Sequence, residues 1–334
     1  MQQTHKFPYE WTLKDANFTK DKGKVFSCFA CGGGSTMGYK LAGFDVLGCN
    51  EIDPKMIEAY KINHKPKYAF LEPIQTFKLR KDLPKELYNL DILDGSPPCS
   101  SFSMAGNRDK DWGKEKKFRE GQAEQVLDTL FFDFIDLAKE LQPKIVVAEN
   151  VAGMLIGSAK EYVKKVYTEF QKAGYQLRIE PYLLDASTMG VPQKRRRVFF
   201  IALRNDLAPK FMEQVDMFQT APKLDLTFNE KKIKAEKVIM KGKKISDKTS
   251  YIESRFGDVL YNADKVFSTL VTRNRYFYDL KHYITNCSYL RIGSYPYDYN
   301  FMRTQPLYLI GMSVPPVMVA QIASRIYEQW ISKL

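Results

Sequence analysis

Residues 94–103 read Asp94-Gly95-Ser96-Pro97-Pro98-Cys99-Ser100-Ser101-Phe102-Ser103 and follow the apolar run Leu90-Asp91-Ile92-Leu93, a short strand by pattern. Pro97 and Pro98 fix φ and lack backbone donors, so the chain leaves that strand in a stiff turn carrying Cys99. A thiol at the carboxyl end of a strand stands where open α/β sheets place their ligands. Taken alone, an unpaired cysteine is more often a small core residue. The segments on either side change that balance.

Strand-like and helix-like patterns alternate through residues 1–204. Val25–Phe29, Asp45–Asn50, Ile145–Ala148, Tyr175–Leu184 and Val198–Leu203 read as strands. Leu90–Leu93 and Ile145–Ala148 are continuous apolar runs, the pattern of strands buried on both faces. Helical periodicity starts near Met37, opens again at Pro54, and covers Val126–Leu141 and Tyr162–Phe170. This alternation predicts an α/β fold with a mostly parallel, helix-covered sheet. After Arg204 the rhythm fails. Residues 205–282 are rich in lysine and tyrosine, with a strand-like piece at Lys265–Thr272, and an apolar helical pattern resumes over Val317–Leu334. The expected organisation is one discontinuous domain, 1–204 with 283–334, and a smaller unit, 205–282, inserted in it.

The chain of 334 residues carries a net charge of +12, which points to a polyanionic partner. Eight lysines against Glu236 and Asp247 lie within residues 231–248, inside the insert. The five cysteines are an odd number in a long chain, which argues against a disulfide framework and for a reduced, cytoplasmic setting. The pattern shows neither a run of the ~20 apolar residues that span a bilayer nor the apolar centre of a signal peptide, so no membrane is expected.

Phe29-Ala30-Cys31-Gly32-Gly33-Gly34-Ser35 joins the first strand to the first helix, and glycines there permit a tight turn and close ligand approach. Asn50-Glu51-Ile52-Asp53-Pro54 ends the second strand with an acid about 20 residues on, where nucleoside-binding folds hold ribose hydroxyls. The pair implies a nucleoside-containing cofactor and does not separate NAD from S-adenosylmethionine, although contiguous glycines do not fit the GxGxxG spacing. Cys28-Phe29-Ala30-Cys31 has no second cysteine pair to complete a zinc site, and no metal is expected. Glu149 ends a later strand in Ala148-Glu149-Asn150-Val151. In Gln193-Lys194-Arg195-Arg196-Arg197, alternation puts Gln193, Arg195 and Arg197 on one face, a set suited to clamping an anion or substrate.

The ordered set FACGGG, NEID, GSPPCSSFS, ENV, QKRRR and GMSVPP resembles the cytosine-C5 DNA methyltransferase family over residues 24–204 and about 284–334. The resemblance implies a Rossmann-like S-adenosylmethionine-dependent fold with 205–282 as target-recognition domain. It implies that Cys99 adds to C6 of a flipped-out cytosine, that Glu149 acts at N3, and that Arg195 holds the base. S-Adenosyl-L-methionine would lie against Phe29, Gly33, Gly34, Glu51, Ile52, Ile74, Pro98, Ser313 and Val314. Ser101, Arg108, Gln193 and Arg197 would face duplex DNA, with Ser101–Gly121 as the loop that closes over the site. A monomer is expected, in a bacterial or phage-infected cell, with a cognate restriction endonuclease as a candidate partner.

Several positions depart from the family pattern. Cys31 replaces a usual glycine, for which Gly32 is expected to compensate. Pro73 stands where an aspartate is usual, Met312 replaces an asparagine, and Cys287-Ser288 replaces an Arg-Glu pair. Two alternatives remain at this stage. A tRNA-directed relative is disfavoured because the insert lacks a Cys-Phe-Thr tripeptide, and an idle DNA-binding relative is disfavoured because Cys99, Glu149 and Arg195 are all retained.

Overall fold

A computed structural model describes residues 5–98, 115–116, 125–126, 129–157, 159–215, 219–244, 258–272, 274–279 and 282–334. Cys99, Ser101, Arg108, most of 101–121 and Lys248 therefore lie outside the described residues.

The chain alternates β1 (Lys24–Cys28), α1 (Gly34–Leu41), β2 (Asp45–Glu51), α2 (Pro54–His64), β3 (Tyr68–Leu71), α3 (Ile74–Phe77) and β4 (Ile92–Gly95). Two short strands, β5 (Glu115–Lys116) and β6 (Gln125–Val126), pair with each other. There follow α4 (Leu130–Leu141), β7 (Ile145–Val151), α5 (Ala159–Lys172), β8 (Tyr175–Leu177), β9 (Tyr182–Asp185) and β10 (Arg196–Arg204). Helix α2 starts as its sequence predicts: Pro54 fills the first turn and the Asp53 carboxylate accepts from the amides of Lys55 and Met56.

The main sheet has the order β3-β2-β1-β4-β7-β10-β8, with β9 also beside β10. Strands β3 to β7 in that order are parallel, whereas β10 runs antiparallel to β7, β8 and β9. The single strand expected over 175–184 is two, because Arg178-Ile179-Glu180-Pro181 interrupts it and Pro181 has no N–H to donate. One face of the sheet packs Phe131, Phe134, Leu137, Val166 and Phe170 of α4 and α5. The other packs Val25, Ile92, Val147 and Ile201 against Tyr39 of α1 and Val317, Ile322 and Ile326 further on.

Beyond β10, β11 (Met212–Gln214) and β12 (Thr220–Pro222) form a hairpin. A small sheet of order β13-β16-β15-β14 combines β13 (Lys241–Lys244), β14 (Asp258–Leu260), β15 (Arg275–Asp279) and β16 (His282–Ile284). The strand-like piece at 265–272 contributes only an isolated bridge from Phe267 to Gln193. Residues 223–226 pack onto the large unit: Leu224 and Leu226 are buried there, and Trp330 Nε1 donates to the Lys223 carbonyl at 2.7 Å. The small sheet thus starts only at Lys241, well after the break in pattern at Arg204.

Three helices close the fold: α6 (Asn286–Gly293), α7 (Pro306–Met312) and α8 (Pro316–Gln329). The stretch Pro306–Lys333 is, contrary to the sequence expectation, long enough to cross a membrane and holds a window apolar enough to do so, of mean hydropathy 1.5. Its most apolar window is 72% buried inside the molecule, where α8 covers the sheet. Helix α1 reaches α8 through glycines. A Cβ on Gly38 would stand 2.5 Å from the Pro316 carbonyl oxygen and from Val319 Cβ, and one on Gly34 would stand 2.7 Å from the Val314 carbonyl oxygen.

The turn between β1 and α1 is held from α2. His64 is buried, and its Nε2 lies 3.1 Å from the Gly32 carbonyl, which makes Nε2 the protonated nitrogen of a neutral ring. Gly33 has φ of +87°, and a Cβ there would lie 2.2 Å from that same Nε2. Burial, with Lys40 adding to it, pushes the His64 pKa down to about 3.

Two consequences can be measured. Gly38→Ala should destabilise the protein by about 1–3 kcal/mol in urea unfolding, because contact with backbone outweighs the ~1 kcal/mol gain in helix propensity. An unchanged midpoint would show that α1 and α8 can separate freely. For His64, the unfolded ring takes up a proton near pH 6.5 and the folded one resists until about pH 3, so stability falls as pH drops through that window. Between pH 7 and 5 the loss from this group should be about 2 kcal/mol, and it should vanish in His64→Gln.

Candidate active site

Pairing across the sheet brings the motifs to one edge. Asn50 of β2 pairs with Cys28 of β1, Cys28 with Gly95 of β4, and Gly95 with Ala148 of β7. Glu51, Phe29, the 96–98 turn and Glu149 all come directly after that row. Because β10 is antiparallel, its amino end meets the carboxyl end of β7, with Arg197 opposite Val151 and Phe199 opposite Glu149.

Glu149 is buried and forms an ion pair with Arg197, Nε to Oε1, at 2.9 Å. Burial works against the charge on Arg197, and Glu149 supports it. Arg195, expected to be the arginine at the base, spends its guanidinium on backbone carbonyls, with Glu149 still supporting its charge. It is 2% exposed, donates to the carbonyls of Leu270 at 3.3 Å and Gly311 at 3.0 Å, and leaves Nε without a partner among the described residues. Gln193, expected at the DNA, is also buried. Its side chain donates to the Ile292 carbonyl and accepts from the Leu270 amide. These two residues tie the entry of β10 to the segments at 270, 292 and 311, and Arg197 is the member of the alternating set that reaches Glu149. The sequence pattern placed all three on one side but could not say which of them the fold would cover.

Asn150 donates from Nδ2 to the Pro97 carbonyl at 3.0 Å and accepts the Val151 amide on Oδ1. The turn that leads to Cys99 is thereby fastened to the strand that carries Glu149. The sequence pattern assigned no task to Asn150, although its place next to Glu149 was the available signal.

At the other end of the edge, Glu51 is buried. Its Oε2 accepts the Cys31 amide at 2.7 Å, and Oε1 accepts the amides of Ile52 and Asp53, each at 2.9 Å. The carboxylate fixes the glycine turn to the end of β2. Cys31 has φ of +51° and Phe29 φ of +52°. Cys31 itself therefore takes the left-handed conformation, and Gly32 does not take it over. Two side-chain-bearing residues in this region within three positions mark a strained turn held by its surroundings. Phe29, Ile52 and Pro98 are half-buried and present apolar surface at the edge, whereas Ile74 is buried in the core with Phe77. Gly34 meets Ser313 and Val314, as a Cβ on it would lie 2.9 Å from Ser313 Cβ. Ser313 and Val314 are themselves buried, so their direct service is to seat α1.

This edge offers a buried acid–guanidinium pair, a fastened proline turn and a second acid on a glycine loop. A nucleoside cofactor fits the donor set: an acid at the end of β2 and half-exposed apolar residues on either side of the strained turn.

Residues 23–283 match the family described as C-5 cytosine-specific DNA methylase. The Type II methyltransferase M.FnuDI of Fusobacterium nucleatum is 36% identical over 184 residues, 55% of this chain and 48% of that protein. The chain thus spans about half of that relative's length. Type II methyltransferase M1.HphI of Haemophilus parahaemolyticus is 26% identical over 332 residues, 90% of this chain and 85% of that protein. Among solved structures, a protein encoded in an Escherichia coli prophage and assigned as a DNA modification methyltransferase superposes with a TM-score of 0.64. That likeness covers 92% of this chain and 99% of the other at 22% identity, and it speaks for the fold. With the family match extending over most of the sequence, from β1 to β16, the chain belongs to the C-5 cytosine-specific DNA methylase family.

Proposed function

We propose that the chain methylates C5 of cytosine in duplex DNA, using S-adenosylmethionine, as part of a restriction-modification or phage-type protection system. The observation that carries this reading is the Glu149–Arg197 pair on the strand to which Asn150 fastens the Pro97 turn. It puts an acid and a guanidinium beside the segment that delivers the only candidate nucleophile of the motif set.

Cys99 would add as thiolate to C6 of the cytosine, forming a carbon–sulfur bond. A proton shared between the Glu149 carboxyl and N3 would offset the charge that builds on the ring as C6 is attacked and C5 becomes nucleophilic, and Arg197 would hold Glu149 and reach the base. The cofactor supplies an electrophilic methyl group on a sulfonium. C5 would take that methyl group as the cofactor leaves as a neutral thioether; loss of the C5 proton to a water base and elimination of Cys99 as thiolate would then restore the ring. Glu51 would meet the ribose hydroxyls, and Phe29, Ile52 and Pro98 the apolar parts of the cofactor; Gly33, Gly34, Ser313 and Val314 would shape the turn around it, with Ile74 behind. A target base stacked inside a duplex has to be flipped out to meet these groups.

The exposed lysines 231, 232, 234, 237, 241 and 243 lead into the small sheet, which supports target recognition by the 205–282 region. The enzyme would act as a monomer. The odd number of cysteines, five, suits a reducing cell interior. A restriction endonuclease with the same site would be the natural partner.

The reading is tested by nucleoside mass spectrometry after incubation with S-adenosylmethionine and unmethylated duplex DNA, with bulk tRNA in parallel. 5-Methyldeoxycytidine is the expected product, and modified tRNA alone would move the substrate to RNA. Cys99→Ser should abolish the product while cofactor binding persists; full activity in that variant would end the covalent scheme. Arg197→Gln should slow transfer by about 10²-fold or more, whereas Arg195→Gln should lower thermal stability first. The opposite pattern would return the base contact to Arg195.

A further inference from the structure

Asp94 is a buried acid that the proposed reaction does not use. It lies in β4, one residue inside the row that ends the sheet, paired with Ser27 of β1 on one side and Val147 of β7 on the other. Its Oδ2 accepts from Ser27 Oγ at 2.7 Å and its Oδ1 from Tyr39 Oη of α1 at 3.2 Å. No lysine or arginine among the described residues forms an ion pair with it. The titratable groups that face it are Cys28 on β1, Tyr39 on α1, Tyr60 on α2 and Glu149 on β7, with Arg197 beyond Glu149. Burial holds Cys28, Tyr39 and Tyr60 well above their ordinary values, so those three are neutral at physiological pH.

The position has a topological meaning. Strand order runs outward from β1 through β2 to β3 on one side and from β4 through β7 on the other. The crevice between β1 and β4 is therefore the switch point, where open α/β sheets bind their ligands. Ser27 and Asp94 form the pair immediately beneath it, and strand rise puts them about 3 Å inside the last row. Among the described residues, the fold thus keeps a carboxyl with no countercharge under the place where a ligand with a fixed positive charge is expected.

We propose that Asp94 is a specificity-determining residue that distinguishes the sulfonium cofactor from its neutral thioether product. Ionised, it supplies the missing negative charge beneath the crevice; protonated, it leaves a neutral floor that suits the product. The inference rests on S-adenosylmethionine being the cofactor. Burial, with Glu149 adding to it and the Ser27 and Tyr39 hydroxyls opposing, pushes the Asp94 pKa up to about 7 in the free protein. Arrival of a cation lowers it, so binding releases a proton from Asp94 to the buffer. Affinity for the sulfonium then rises with pH and levels off above about 7, while affinity for the thioether lacks this component.

Calorimetric titration with S-adenosylmethionine and with S-adenosylhomocysteine, in buffers of different ionisation enthalpy between pH 5.5 and 8.5, tests this on the free protein. The expected result is proton release with the sulfonium and little with the thioether near pH 7. In Asp94→Asn that release disappears, the sulfonium binds three- to tenfold more weakly at pH 8, and the thioether binds within twofold of its original affinity. Ser27→Ala keeps the acid but removes a donor to its ionised form, so the midpoint of the sulfonium profile should move up by at least half a pH unit. This variant decides the matter if Asp94→Asn does not fold. Equal weakening of both ligands in Asp94→Asn, or unchanged proton release, would reduce Asp94 to a structural role. Binding of neither ligand by the wild type would instead overturn the cofactor reading itself, and this inference with it.

Discussion

The site depends on one row of paired residues, Asn50, Cys28, Gly95 and Ala148, that crosses β2, β1, β4 and β7. Parallel strands in register must end together, so the residues just beyond each strand arrive at the same edge. The glycine turn, the acid at Glu51, the proline turn and Glu149 are far apart in sequence and become neighbours through this pairing. The antiparallel run of β10 extends the rule, since only that direction brings Arg197 to the same edge as Glu149. A register slip of one residue in any of these strands would send its side chains to the opposite face.

The interior of the sheet is apolar on both faces, and the polar groups that it does bury gather at this edge. Asp94, Glu149, Gln193 and Arg195 are each less than a tenth exposed. Such burial is unfavourable unless every group finds partners. Gln193 finds two backbone groups and Glu149 an arginine, but among the described residues Arg195 Nε has no partner. The nearby turn adds left-handed backbone at Phe29 and Cys31, which the Glu51 carboxylate and the contacts of His64 and Tyr299 with Gly32 hold in place. Stability is given up at this edge and supplied by the two apolar layers, a division common where a fold carries chemistry.

Much of this was readable from local pattern. Continuous apolar runs such as Ile145–Ala148 announced buried strands, Asp53-Pro54 announced a helix start, and the motif order announced the family. Where the pattern misled, the causes were non-local. Cys31 was expected to hand its backbone conformation to Gly32, but Gly32 is packed against Tyr299 and Leu309 and the turn is anchored through the Cys31 amide. The boundary expected at Arg204 left residues 223–226 in the insert, whereas Leu224 and Leu226 join the core of the large unit and the Lys223 carbonyl accepts from Trp330, more than a hundred positions away. Arg195 and Arg197 look alike in sequence, two positions apart on one face. Only the contacts from 270 and 311 cover the first and leave the second at Glu149.

Residue type and spacing were enough for the strand–helix alternation, the parallel sheet and the edge at which the motifs meet, because period, turn chemistry and caps act within a few residues. They also supplied candidates for the reactive side chains, since a nucleophile, an acid and a guanidinium are chemical identities. Three-dimensional packing alone settled which arginine pairs with Glu149, why Asn150 sits beside it, and that Asp94 is buried without a countercharge among the described residues. Those outcomes turn on burial and hydrogen bonds between segments brought together by the sheet, and such contacts leave no periodic trace along the chain.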